Sequence, residues 1–154
     1  ATLLDELSAE FPRATLVRDA VGALDAAVDA VRARLRGEAG VAPVALDVRA
    51  TPFQQQVLDA LARIPRGETR SYAQVAADIG APRAARAVAN ACATNRLAVL
   101  IPCHRVLHGD GTMSGYRWGN EIKRALLAAE GAPPPRGVAA DPAAVRRRRA
   151  RATA

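Results

Sequence analysis

The sequence predicts a short α/β leader followed by an all-helical domain built on a helix-turn-helix, and three observations carry this reading. Apolar residues near the N-terminus recur at helical spacing and lead into a short β-type run. From Thr51 onward, two helix-start signatures of the same kind follow one another. Gly and Pro then punctuate the chain too closely for long helices or a large sheet. With 154 residues, half of them apolar, the chain can bury a core as one domain, or as one domain with a smaller companion.

Taken in order, Leu3, Leu4 and Leu7 suggest a short helix that stops at Phe11-Pro12. Leu24, Val28, Val31 and Leu35 fall at spacings of four, three and four, which predicts one buried face of a helix over 18–36. Beyond Gly40, residues 44–48 (VALDV) read as a strand, completing a leader over 1–48. Thr51 then caps a helix, Pro52 suits its first turn and Gln54 sits at the reciprocal capping position. That helix buries Phe53, Val57, Leu61 and Ile64 and ends at Pro65-Arg66-Gly67. Ser71 and Gln74 repeat the grammar for a helix stopped by Gly80, and Pro82 opens another over 82–92.

Two short helices joined at Gly80-Ala81 match a helix-turn-helix, whose second helix lies on DNA. Arg83 and Arg86 would supply charge there, and small residues such as Ala87 would let the backbone approach a duplex. An Ala-rich packing helix is the alternative. Residues 98–101 (AVLI) read as a buried strand or extended segment that delivers the chain to Cys103. A turn follows over 108–112, then a last helix from about Asn120 to Glu130. Residues 133–154 read as a disordered basic tail, leaving 49–132 as the main domain.

The formal charge of +7 is unevenly placed. Residues 1–50 hold six basic and eight acidic side chains, 51–132 hold ten and six, and 133–154 hold six Arg against one Asp. The basic surface therefore belongs to the second half and the tail, as a nucleic-acid partner requires. Two cysteines and two histidines without a CxxC do not make a structural zinc site, and no metal or cofactor is expected. The first residues form neither a signal peptide nor a membrane span, so a cytoplasmic setting in which a free thiol survives is expected. The only Met is Met113, which reads as the mark of a piece of a longer protein.

Cysteine reacts as its thiolate, and an imidazole backed by a carboxylate can supply it at neutral pH. Cys103, His104 and Glu130 offer that set, although Cys103 at the end of an apolar run also fits a buried core thiol. Cys92, among alanines on a helix, reads as a packed thiol.

The run IPCHRV (101–106) strongly resembles the active-site segment of the O6-methylguanine-DNA methyltransferase family. FQQQV (53–57), IPRGET (64–69), SYAQVA (71–76), ARAVANAC (85–92), SGYRWG (114–119) and LLAAEG (126–131) resemble that family's blocks in the same order. FQQQV, CATN (92–95) and SGYRWG are most similar to the C-terminal portion of bacterial Ada-type proteins, and the likeness is close from about Ala45 to Gly131 and looser over the first 44 residues.

The resemblance implies a partial ribonuclease-H-like α/β domain before an all-helical, winged-helix-like alkyltransferase domain. It implies a monomer that acts once on duplex DNA containing O6-alkylguanine. Cys103 would accept the alkyl group, His104 would draw off its proton through a water, and Glu130 would orient His104. Tyr72 would offer its hydroxyl to the leaving guanine, Asn95 would brace the active-site segment, and Arg86 would fill the gap left by the flipped nucleotide. Tyr116, Ser114, Arg117 and Val106 would line the base pocket, Arg117 standing where many relatives carry serine. On this reading Glu130→Gln folds normally and transfers slowly. Two rivals remain, a helix-turn-helix regulator without chemistry and a damage sensor of the kind that lacks the acceptor cysteine.

Overall fold

Thr51 and Ser71 start their helices as the sequence predicts. In the computed structural model, which describes residues 3–41, 43–113 and 115–137, both caps are complete capping boxes. Thr51 Oγ1 accepts from the Gln54 amide at 3.2 Å, and Gln54 Oε1 accepts from the Thr51 amide at 2.9 Å. Ser71 and Gln74 repeat this at 3.1 and 2.7 Å. Each such cap stabilises by about 1 kcal/mol and fixes where its helix begins.

The helices are α1 (Leu3–Glu10), α2 (Asp25–Arg36), α3 (Pro52–Ala62), α4 (Tyr72–Asp78), α5 (Ala85–Thr94) and α6 (Asn120–Ala129). A 3₁₀ turn covers Cys103–Arg105. The only sheet among the described residues pairs β1 (Arg70–Ser71) with β2 (Val106–Leu107), parallel, with Arg70 opposite Val106 and Ser71 opposite Leu107. The core lies between α3, α4 and α5, where Val57, Leu61, Val75 and Val88 are fully buried. Each contributes roughly 1.5–3 kcal/mol relative to exposure. The chain is thus mostly helical with one small sheet.

The leader departs from expectation. Residues 43–50 run without strand pairing, so no α/β layer forms among the described residues. A strand needs a neighbour to satisfy its backbone, and none is present; Val48 and Ala50 pack instead on the helical core. The predicted helix over 18–36 begins only at Asp25. Asp19 accepts from the amides of Val21, Ala23 and Leu24, and Gly22 takes a left-handed φ of 74°, which together close a turn where a helix was expected. Leu24, Val28 and Leu35 are exposed, and the buried residue of α2 is Ala30, off that stripe.

Later elements also shift. The helix expected from Pro82 starts at Ala85, after a tight turn in which Ala84 donates to the Ala81 carbonyl at 2.8 Å. The junction before it is closed by Gly80 at φ 74°, with Ala81 N donating to Ala76 O and Gly80 N to Ala77 O. This is a Schellman stop and gives the turn of the helix-turn-helix. Residues 98–101 form a turn rather than a strand, with Val99 at φ 71°. The tail is not loose from Pro133: Met113 N donates to Gly137 O at 2.8 Å and Arg136 N to Gly111 O at 3.0 Å, drawing 132–137 against the 108–113 turn. The Arg cluster at 146–149 lies outside the described residues. No helix among them is long and apolar enough to cross a membrane.

Candidate active site

Cys103 is placed by three local devices. Asn95, at the end of α5, donates through Nδ2 to the Ile101 carbonyl at 2.9 Å and to Cys103 Sγ at 3.1 Å, while its Oδ1 accepts from the Leu97 amide at 3.0 Å. One buried amide thereby pins both ends of the 95–103 segment. The Val99 turn folds that segment back, and Ile101 N donates to Leu97 O at 2.8 Å. Finally, the β1–β2 pairing fixes the chain just after the 3₁₀ turn against the start of α4, where Tyr72 sits.

Behind the thiol lies an acid-base pair. His104 Nε2 donates to Glu130 Oε1 at 3.0 Å, and both side chains are almost wholly buried. His104 Nδ1 is buried and has no protein partner, which leaves it as the ring's acceptor nitrogen. Glu130 is also gripped by Arg105, whose Nε and Nη2 reach its two oxygens at 2.8 and 2.7 Å and whose Nη1 reaches the Ile64 carbonyl at 2.6 Å. Arg66 stands 3.8 Å from the same carboxylate and donates to the carbonyls of Arg34 and Ala129. Burial pushes the Glu130 carboxyl up, but the hydrogen bonds and charges of His104 and Arg105 outweigh it and hold the group at about 2.

Lys123 was not anticipated. It is 1% exposed, donates to the Val106 carbonyl at 2.6 Å and lies 5.7 Å from the Tyr116 ring centroid. Burial lowers it to about 8, against the pull of the two thiols, so it still carries charge at neutral pH. The sequence signal was its position four residues before the fully buried Leu127, on the same helical face. Arg105 escaped notice for another reason: its partners Ile64 and Glu130 are 41 and 25 residues away.

These neighbours distinguish the two cysteines. Burial raises both thiols, Cys92 to about 12. Cys103 is pulled back by the Asn95 hydrogen bond, the Lys123 charge and the Tyr116 hydroxyl, whereas Cys92 has only Lys123. Cys103 is therefore the more readily ionised of the pair.

Other expected residues fall into two groups. Tyr72 is buried at the head of α4, its ring edge-on to His108 at 5.4 Å. Tyr116, half-buried, sets its hydroxyl beside the Cys103 sulfur without hydrogen-bond geometry, and burial raises its phenol. Val106 is buried with its carbonyl occupied by Lys123. Arg117 points away from this cluster, to Glu10 at 2.7 Å, and Ser114 lies outside the described residues. On α5, Val88, Ala91 and Cys92 face the core. Arg86, Ala87 and Asn90 face outward with Arg83 just before the helix, and neither arginine forms an ion pair among the described residues. No cluster of potential metal ligands occurs among those residues.

Comparison with known proteins gives the chain's family. Residues 52–132 match the family described as 6-O-methylguanine DNA methyltransferase, DNA binding domain. The chain is 52% identical over 130 residues to the bifunctional transcriptional activator/DNA repair enzyme Ada of Escherichia coli, covering 84% of this chain and 36% of that protein. It is 50% identical over 109 residues to the methylated-DNA--protein-cysteine methyltransferase of Mycobacterium bovis, covering 71% of this chain and 66% of that one. The crystal structure of Mycobacterium tuberculosis OGT in complex with DNA superposes with a TM-score of 0.67 at 50% identity, over 73% of this chain and 71% of that one. The chain thus spans about a third of the Ada relative and about two thirds of the mycobacterial one. With the matched profile covering more than half of its length, this chain belongs to the 6-O-methylguanine DNA methyltransferase family.

Proposed function

We propose that the protein repairs DNA by moving an alkyl group from O6 of guanine in duplex DNA to the Cys103 thiol, once per molecule. The observation that carries this reading is the convergence of Asn95 and Lys123 on one buried thiol whose neighbour His104 is itself held by Glu130. A regulator that only binds DNA has no use for such a set, and a sensor without an acceptor would lack Cys103.

In the reaction, the thiol proton passes to His104 Nδ1 through one bridging water, and Glu130 stabilises the imidazolium. The thiolate attacks the alkyl carbon, a C–S bond forms and the C–O bond breaks, and the departing guanine takes a proton from the Tyr72 hydroxyl. The resulting thioether is stable, so on this reading each molecule acts once. The carbon is out of reach inside a duplex, so the nucleotide must leave the stack, and Arg86 on the outer face of α5 fills the gap. Arg83 and Ala87 border that contact, and Tyr116, Val106 and Ser114 belong to the region that receives the base, with the Arg117 side chain turned away from it.

The same reading treats 49–132 as a winged-helix-like unit and 1–48 as the remainder of a ribonuclease-H-like partner. The basic residues of 133–154 would add phosphate contacts. Action as a monomer in the cytoplasm fits a chromosomal substrate.

Arg86 gives the test. Arg86→Ala is expected to slow transfer from an O6-alkylguanine duplex by about 10- to 100-fold, because unstacking costs a few kcal/mol that the arginine offsets. Reaction with the free alkylguanine base should change little. Single-turnover rates on both substrates decide: equal losses would mean that Arg86 does not support a flipped nucleotide.

A further inference from the structure

The end of α1 reaches the active site through one carboxylate. Glu10 accepts from Arg96 Nε and from Arg117 Nη2, both at 2.7 Å, and its side chain is 21% exposed. Arg96 follows Asn95, the residue that pins Cys103, and stacks over the Phe11 ring at 5.5 Å. Arg117 stands between Tyr116 and Trp118, whose rings pack together at 5.3 Å and sit on the core beside the thiol. The two aromatic side chains turn inward and Arg117 turns outward, so a hold on Arg117 is a hold on the loop that carries both rings.

Cys103 is only 3% exposed. Any alkylated base must therefore displace what covers the sulfur, and Tyr116 is part of that cover. A methyl group needs little movement. A larger group needs the Tyr116–Trp118 loop to swing outward, which strains the Arg117–Glu10 ion pair that Arg96 helps to anchor.

We propose that Glu10 is a specificity-determining positioning residue: by holding Arg96 and Arg117 on one carboxylate, it restrains the Tyr116–Trp118 loop over Cys103 and disfavours transfer of bulky alkyl groups. The proposal rests on the alkyl-transfer reading and adds a size filter to it. The filter is remote from the chemistry, since Glu10 touches neither the thiol nor the base. Its strength is bounded by the partial exposure of the pairs, each arginine remaining more than a third exposed. Pairs of this kind are modest singly and add up when they share a partner.

The test compares transfer to the full chain from two duplexes of identical sequence, one with O6-methylguanine and one with O6-benzylguanine. Using the ratio of the two rates cancels changes in DNA binding. Glu10→Gln is expected to raise the benzyl-to-methyl ratio about three- to tenfold and to leave the methyl rate within about twofold. Arg96→Gln, which frees the same carboxylate from the other side, should move the ratio in the same direction. Adding Arg117→Gln to Glu10→Gln should raise it no further, because both changes cut one link. The full reversal, Glu10→Arg with Arg96→Glu and Arg117→Glu, should bring the ratio back towards that of the unmodified chain, which a general loosening of α1 would not do. Thermal midpoints confirm that each variant is folded. An unchanged ratio in both Glu10→Gln and Arg96→Gln, with methyl transfer intact, overturns the strap and leaves the alkyl-transfer reading standing. Absence of methyl transfer in the unmodified chain overturns the alkyl-transfer reading and the strap with it.

Discussion

Glu130→Gln is expected to cost both activity and stability. Glu130 is the shared acceptor of His104 and Arg105, and the Arg105 guanidinium is only 14% exposed. The amide keeps the shape but removes the charge, leaving a largely buried arginine without its counter-ion. Breaking such a pair typically costs about 3–5 kcal/mol. This corrects the expectation, drawn from sequence, that the variant folds normally: there, only His104 was seen as the partner. Transfer at neutral pH should fall about 100-fold or more as His104 loses the group that stabilises its charged form.

The pH dependence has a definite sign. The folded-state carboxyl lies at about 2, below the ordinary value of 4.5. Its stabilising contribution is therefore fully present above about pH 4.5 and is lost as pH falls through about 2. Urea unfolding of the wild type and Glu130→Gln should show a large stability gap at pH 7 that closes towards pH 2. A gap that is constant with pH would show that Glu130 contributes through packing alone.

Lys123→Met should separate what Glu130→Gln combines. The lysine is buried near the Cys103 thiol, and its charge is one of the influences drawing that thiol back towards ionisation. Methionine fills a similar volume without that charge. Transfer at pH 7 is expected to fall about tenfold or more, since about one pKa unit in the thiol is a tenfold change in thiolate. The deficit should shrink as pH rises and the thiol ionises unaided.

Stability should move little at neutral pH, because a buried ammonium that loses its hydration is a poor stabiliser. Lys123 lies near 8 when folded and 10.5 when free. The wild type therefore gains stability as pH rises from about 8 to 10.5, where the unfolded chain binds the extra proton, and the variant lacks that rise. Rates that match wild type at every pH would remove Lys123 from the reaction.

What could be read from the sequence follows a physical divide. Thr51, Gln54, Ser71 and Gln74 announce their helices because a cap is a local bargain among residues three apart. Gly80 announces the turn because only a left-handed residue closes it that way. Cys103, His104, Asn95 and Glu130 were legible through their motif, and the structure joins Asn95 to Cys103 and Glu130 to His104. The strand at 44–48 was misread because strand character depends on a neighbour that the local sequence does not contain. Asp19 and Gly22 shortened α2 by a turn whose hydrogen bonds overrode helical periodicity. Lys123 was hidden because a charged residue on a buried stripe looks like solvent surface until its partner, a carbonyl seventeen residues away, is seen. Arg117 was expected in the base pocket and is held by Glu10, 107 residues distant.

Cys103, and not the likewise buried Cys92, is the proposed acceptor. Both thiols are near Lys123, but only Cys103 also has Asn95 and Tyr116 to favour its ionised form. The decisive measurement is intact mass and peptide mapping after incubation with excess O6-methylguanine duplex. The expected result is one added methyl per molecule, carried by the peptide containing Cys103, with repaired guanine equal to protein. Methyl on the Cys92 peptide, or several repaired guanines for each protein molecule, would rule out Cys103 as a single-use acceptor.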